Sequence, residues 1–343
     1  MDNFDNLLEK QKIISIFMQQ LENKSIFKDV ISKEEIKTKL IQNVKYVKCI
    51  RKHPYIKAIW NSNYDTLYLC NGLKSLPNNL NISNRTTAYI VHELLHALTT
   101  RDSNNVGFQK RNGDIKVGLG LNEGMTQNLT ERITNTSFPK TYAFEKSAYS
   151  IFSCLVDEKY FLSDYLYGTN KIEEQFSNKY GSYMLELYNA ANKMLDNITI
   201  SDSTKFKNDS APEEIQEAKV LSEKSKEMLN RVIDRMVKIS LKKMDNPLEV
   251  SKLLSTLDEY PGKDSFKEFD LEKEKEINNS ILNNSNSQMT NIQKNIFEQT
   301  NNVTLTQINK QTKHLEQCFT KYEINSDLGL LNNDSGKFID KEK

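Results

Sequence analysis

Glycine and proline are scarce in this 343-residue chain, at 11 and 6. That disfavours a turn-dense β-sandwich and favours long helices. Cysteine occurs four times, as Cys49, Cys70, Cys154 and Cys318. Their wide spacing, with no C-x-x-C, speaks against a cysteine metal site and fits unpaired thiols in a reducing compartment. No apolar run of about 18 residues exists, which excludes a conventional membrane span. The first residues, MDNFDNLLEKQKIISIF, are acidic where a secretory signal needs positive charge, so a cytoplasmic protein is the expectation. Charge of one sign is also missing: 47 Lys and Arg against 46 Asp and Glu leave a net +1. No global field draws the chain to nucleic acid or anionic lipid, and no basic stripe with interleaved aromatics is present. Neither nucleic acid nor membrane is an expected partner.

What is present is helical periodicity. With 37% hydrophobic residues and about 150 residues per domain as a prior, the chain can build roughly two folded units. Residues 4–22 and 33–42 read as helices, the second opened by Ser32 and Glu35 as a capping box. Val44–Ile50, Ile56–Trp60 and Thr66–Cys70 are rich in β-formers, the last two joined by a turn at 61–65. Residues 84–99 predict a helix apolar around much of its circumference, hence internal. Val106–Lys110 and Ile115–Gly120 then predict a hairpin through Arg111-Asn112-Gly113-Asp114. A helix follows from about Leu121 to Asn135, then three helices from 139 to 196 broken near Ser163 and Gly168.

The polar stretch 197–209 predicts a domain boundary. Ser210-Ala211-Pro212-Glu213 matches a capping box before another helix, and Tyr260–Lys263 is a further break. Residues 271–322 carry Leu282, Met289, Ile296 and Val303 at a seven-residue interval, either a helical partner or self-association surface or an exposed tail. The expected fold is α+β: mainly helical, a small mixed β-sheet packed on the 84–99 helix, and a helical, polar C-terminal extension. Residues 1–200 form the first unit (helices and sheet to 80, helices from 81) and 201–343 the second.

Histidine is the rarest informative residue, present only as His53, His92, His96 and His314. Two of them flank a glutamate in His92-Glu93-Leu94-Leu95-His96. On a helix, positions four apart share a face about 6 Å apart, suited to two ligands of one zinc. Glu93, rotated about 100° around the helix, reaches towards a water at the metal. The plain alternative, a core helix with two incidental histidines, leaves two imidazoles among Val91, Leu94, Leu95 and Leu98 in need of partners. A third histidine in the pattern H-E-x-x-H-x-x-G-x-x-H is ruled out, because Thr99 and Asp102 occupy those positions. Leu121-Asn122-Glu123-Gly124 offers a glutamate instead. Its plain reading is a helix N-terminal acid favoured by the macrodipole; beside the paired histidines it becomes a candidate ligand. His53 and His314 read as surface residues.

HELLH followed by LNEGMT resembles the gluzincin metallopeptidases, over roughly residues 40–200. The resemblance implies that His92, His96 and Glu123 bind one Zn2+ per chain and that Glu93 is the general base. It also implies peptide-bond hydrolysis through a zinc-bound water activated by Glu93, acting on a peptide or protein substrate. In such sites a further donor meets the oxyanion, and Tyr142, Tyr149, Tyr180 and Tyr183 are the candidates here. Gln127 stands where the thermolysin pattern has an aspartate, and is expected to orient an imidazole. Substrate would pair with an edge strand, for which Thr66–Cys70 is the candidate. The competing expectation is a regulatory or interaction protein with a structural or vestigial zinc site, working through its helical C-terminal half.

Overall fold

The computed structural model describes residues 3–50, 58–70, 84–112, 115–204 and 211–265. Two helices open it, α1 (Asn3–Leu21) and α2 (Lys33–Asn43). Ser32 accepts the Glu35 backbone N–H at 3.1 Å, so the expected N-cap of α2 is present. A small mixed sheet follows: β1 (Tyr46–Ile50), β2 (Ala58–Asn61) and β3 (Thr66–Cys70), in the order β1-β3-β2. β1 runs parallel to β3 and β2 antiparallel to it, with Trp60 opposite Leu67. The edge-strand expectation for Thr66–Cys70 is therefore corrected. β3 is the middle strand, hydrogen-bonded on both sides, and β2 is an edge.

The internal helix is α3 (Asn84–Thr99). Ile90, Val91, Leu94, Leu95 and Leu98 are all fully buried, each contributing about 1.5–3 kcal/mol of transfer free energy. Beyond it the chain forms a four-stranded antiparallel meander, β4 (Thr100–Asp102), β5 (Asn105–Val106), β6 (Gln109–Asn112) and β7 (Ile115–Val117). Val106–Lys110 is not one strand, as expected, but two. Gly107 sits in the left-handed region at φ 55 and turns the chain so that the Phe108 N–H meets Asn122 Oδ1. Arg111 and Asn112 belong to β6, with Asn112 paired to Ile115; residues 113 and 114 lie outside the described residues.

Helix α4 (Leu119–Thr134) is followed by α5 (Ala143–Leu155), α6 (Glu158–Tyr167), α7 (Lys171–Tyr180) and α8 (Ser182–Thr204). Between 139 and 204 there are thus four helices, not three. The breaks fall at Asp157, whose side chain caps the Lys159 N–H, at Gly168 and at Gly181; Ser163 lies inside α6. The first part of the polar stretch 197–209 is helical, because α8 continues through it to Thr204; residues 205–209 lie outside the described residues. Ile198 and Thr199 are buried there, with Thr199 Oγ1 donating to the buried Glu145 Oε1 at 2.7 Å. Two further α-helices, α9 (Pro212–Leu241) and α10 (Pro247–Asp258), and a short 3-10 turn at Lys263–Ser265 complete the described chain.

At the start of α9, Glu214 accepts the Ala211 N–H at 3.3 Å. Only that half of a capping box can form, since an alanine methyl accepts nothing; Ser210 lies outside the described residues. Helix α9 packs chiefly along α8, and its Leu229, Ile233 and Met236 join the same apolar cluster as α1, α3 and α5. The molecule is mainly helical α+β with a small mixed sheet. The heptad-like segment 271–322, His53 and His314 lie outside the described residues. Among the described residues no helix is long and apolar enough to cross a membrane.

Candidate metal centre

Helix α3 presents His92 and His96 one turn apart, and α4 packs against it carrying Glu123. How α4 comes so close to its neighbours is written in two glycines. A Cβ at Gly120 would lie 2.4 Å from the Leu195 backbone of α8, and one at Gly124 would lie 2.4 Å from the Glu145 backbone of α5. The start of α4 has no cap from its own sequence: Gly118 precedes it at φ 74. Asp196 of α8 supplies one, accepting the Gly118 and Gly120 N–H groups at 2.8 Å each. Burial pushes the Asp196 carboxyl up to about 6, against the opposing pull of those N–H donors.

The three expected ligands converge. His92 Nε2 lies 3.2 Å from Glu123 Oε2 and 3.2 Å from His96 Nε2, and His96 Nε2 lies 3.4 Å from Glu123 Oε1. Donors held tetrahedrally at 2.0–2.1 Å from one cation are about 3.3 Å apart, close to the 3.2 Å that separates His92 Nε2 from His96 Nε2 and from Glu123 Oε2, while His96 meets the other oxygen of the same carboxylate. Protons alone serve this triangle less well, because two imidazoles and one carboxylate cannot satisfy all three edges at once. His92, His96 and Glu123 form a group that could hold a metal ion. Burial would push the Glu123 carboxyl up, but His96 and His92 beside it hold it well below the usual carboxylate range.

Glu93, the residue after His92 on α3, bonds to the sheet through one carboxylate oxygen and feels the charges of His92 and Glu123. Its Oε2 accepts the backbone N–H of Trp60, in edge strand β2, at 2.7 Å. Burial raises its pKa to about 7, a rise opposed by His92 and by the Trp60 N–H.

Of the four candidate tyrosines, only Tyr142 is at the site. Its ring stacks on His92 with centroids 6.1 Å apart and planes 11° apart. Residue 142 adopts a left-handed backbone, φ 48, ψ 44, just before α5. The charge on Glu123 is the first cause of its strongly raised hydroxyl pKa, followed by burial and the charge on Glu93. Tyr149 instead donates to Glu158 at 2.7 Å, Tyr180 to the Leu155 carbonyl at 3.0 Å, and Tyr183 lies half-exposed under Arg235.

The imidazole-orienting role expected of Gln127 is also corrected. Its Nε2 donates to Glu131 Oε1 at 3.1 Å, on the same helix face one turn on. The fully buried Asn122 takes the place beside an imidazole, its amide 3.2 Å from His96 Nδ1 and its Oδ1 held by Phe108 N–H at 3.1 Å. An asparagine immediately before a candidate glutamate ligand was the available signal, since neighbours on a helix flank a common partner. Glu131 meanwhile fixes the loop that delivers Tyr142: it accepts the Phe138 N–H at 3.1 Å and pairs with Lys146 at 2.9 Å. No protein-family model matches the chain, and no curated protein and no solved structure is similar to it at a significant level.

Proposed function

We propose that this protein is a zinc-dependent metallopeptidase of gluzincin type, with His92, His96 and Glu123 as ligands and Glu93 as general base. The carrying observation is the pairing of a His92-His96-Glu123 group that could hold a metal ion with a separate, partly buried carboxyl next to it in sequence. A purely structural metal group has no use for that carboxyl. Zinc held by the triangle would supply Lewis acidity to a substrate carbonyl and acidify water at the site.

The protein's own groups then divide the remaining work. A carboxyl poised near neutrality can take a proton and return it to a leaving amine, which suits Glu93 to both halves of a hydrolysis. Trp60 N–H keeps its carboxylate oriented between uses. Tyr142, whose hydroxyl remains protonated under the neighbouring acids, is placed to donate to the oxyanion of a carbonyl under attack. Strand β2 pairs with β3 on one side, while Trp60 turns its N–H to Glu93 on the other. A peptide laid along that free side would bring its carbonyls to the acid.

The test begins with zinc content of the purified chain beside His96→Ala. One zinc per chain, lost in the variant, supports the reading, and hydrolysis of a peptide library that Glu93→Gln abolishes completes it. A chain that takes up no zinc after reconstitution at neutral pH overturns it.

A further inference from the structure

A tyrosine outside the four candidates stands behind the metal centre. Tyr165, in α6, is fully buried, and its hydroxyl meets that of Thr126 in α4 at 2.6 Å. Thr126 lies three residues on from Glu123, on the same face of the helix. The direction of the bond follows from counting protons. Thr126 Oγ1 lies 2.7 Å from the Asn122 carbonyl oxygen, which can only accept. A threonine hydroxyl has one proton, and this contact uses it. Tyr165 is therefore the donor to Thr126, and the two bonds form a relay from α6 to the backbone of Asn122.

The ring of Tyr165 stands beside the Asn122 side chain as well. Gly107 is flanked by both: a Cβ there would lie 2.0 Å from Asn122 Oδ1 and 2.7 Å from Tyr165 Cε2. Phe108, which gives its N–H to Asn122 Oδ1 at 3.1 Å, sets its own ring 5.5 Å from that of Tyr165. Asn122 in turn holds its amide 3.2 Å from His96 Nδ1. Burial, and then the charges on Glu123 and Glu93, raise the Tyr165 pKa against the pull of the Thr126 and Thr99 hydroxyls, so the phenol keeps the proton it donates. A buried hydroxyl needs some partner. Tyr180 shows the plain case, donating to the Leu155 carbonyl at 3.0 Å, a bond in which no residue of the centre takes part.

We propose that Tyr165 is a positioning residue of the metal centre: through Thr126, Gly107 and Phe108 it fixes Asn122, and through Asn122 it sets the His96 ring. The inference rests on the metal-centre reading and not on peptide hydrolysis.

Competition with a chromophoric chelator measures the zinc affinity of the full chain, and the visible absorption bands of its Co2+ form report ligand geometry. Tyr165→Phe keeps the ring and removes the donor. It should bind zinc at least tenfold more weakly than the parent, the lower end for loss of a supporting contact of 10–100-fold, and its Co2+ bands should shift. Tyr180→Phe, which loses a buried bond elsewhere, should change neither. Thr126→Val should reproduce the loss, Thr126→Ser should keep the parent affinity, and Tyr165→Phe combined with Thr126→Val should bind no more weakly than the weaker single variant. If Tyr165→Phe fails to fold, the two Thr126 variants carry the comparison. Parent affinity and unshifted bands in Tyr165→Phe, losses that add in the double variant, or equal binding by Thr126→Val and Thr126→Ser would overturn the proposal. A parent chain that takes up no metal removes the centre and the proposal together, a result distinct from failure in the variants alone.

Discussion

The backbone N–H of Trp60 donates to Glu93 Oε2 at 2.7 Å, so an edge strand of the sheet holds the carboxyl that stands next to a candidate metal ligand. A glutamine at position 93 keeps an oxygen for that N–H and has no proton to exchange. Glu93→Gln should therefore fold normally and bind zinc as the parent does, while peptide hydrolysis falls by about 10²–10⁴-fold. Turnover and zinc stoichiometry measured on the same preparation decide it. Undiminished turnover would remove Glu93 from the chemistry.

Tyr142 can be separated from its packing role by deleting one atom. Tyr142→Phe keeps the ring stacked on His92 and the unusual backbone at φ 48. As an oxyanion donor its loss should lower kcat by roughly 10²–10³-fold, with KM and bound zinc little changed. Equal kinetics in the two proteins would assign the tyrosine to packing alone.

Much of this arrangement was legible in the sequence because it is local. An apolar helix, two histidines four apart and a glutamate at a helix start each declare themselves within a dozen residues, and α3 and α4 fall within two residues of where periodicity puts them. What was not legible depends on distant partners. Asn197 to Ser201 looks like a polar linker until Glu145, on another helix, is seen to receive the Thr199 hydroxyl. Gly107 breaks an expected strand because Asn122 needs the next N–H: a Cβ there would meet Asn122 Oδ1 at 2.0 Å. Four tyrosines were equal in sequence, and only a left-handed residue before α5 brings one of them onto His92.

Asn122 should matter to the metal without touching it. Alanine there strips His96 Nδ1 of its neighbour and orphans the Phe108 N–H. Loss of such a supporting contact typically costs 10–100-fold in metal affinity. Competition with a chromophoric chelator should show that loss in Asn122→Ala, with aspartate at the same position recovering most of it. Unchanged zinc affinity in the alanine variant would confine Asn122 to holding the Gly107 turn.

The two glycines of α4 make a sharper steric prediction. In Gly124→Ala the new methyl lies 2.4 Å from backbone atoms of Glu145, which cannot swing aside as a side-chain tip would. Overpacking of this kind costs about 1–3 kcal/mol, so thermal unfolding should move down by several degrees. Zinc affinity should fall with it, because Glu123 is the preceding residue. A variant as stable as the parent would mean that α4 and α5 are not in contact at this point.

Asp196 gives the fold a pH dependence of definite sign. Its carboxyl titrates near 3.8 in a solvated chain and is pushed up to about 6 by burial in the native protein, despite two N–H donors. Below pH 4 it is protonated in both states. Between about 4 and 6 the native state retains a proton that the unfolded chain has released, so stability falls as pH rises through that window and stays lower above it. A shift of this size corresponds to about 3 kcal/mol at most. Asp196→Asn has no such proton, which makes the difference between the two proteins the informative quantity and cancels every other titrating group. Denaturant unfolding from pH 4 to 7 should show the parent losing ground relative to Asp196→Asn as pH rises, most steeply near 5. Parallel curves would mean that the cap on α4 carries the same charge, at the same cost, whether the chain is folded or not.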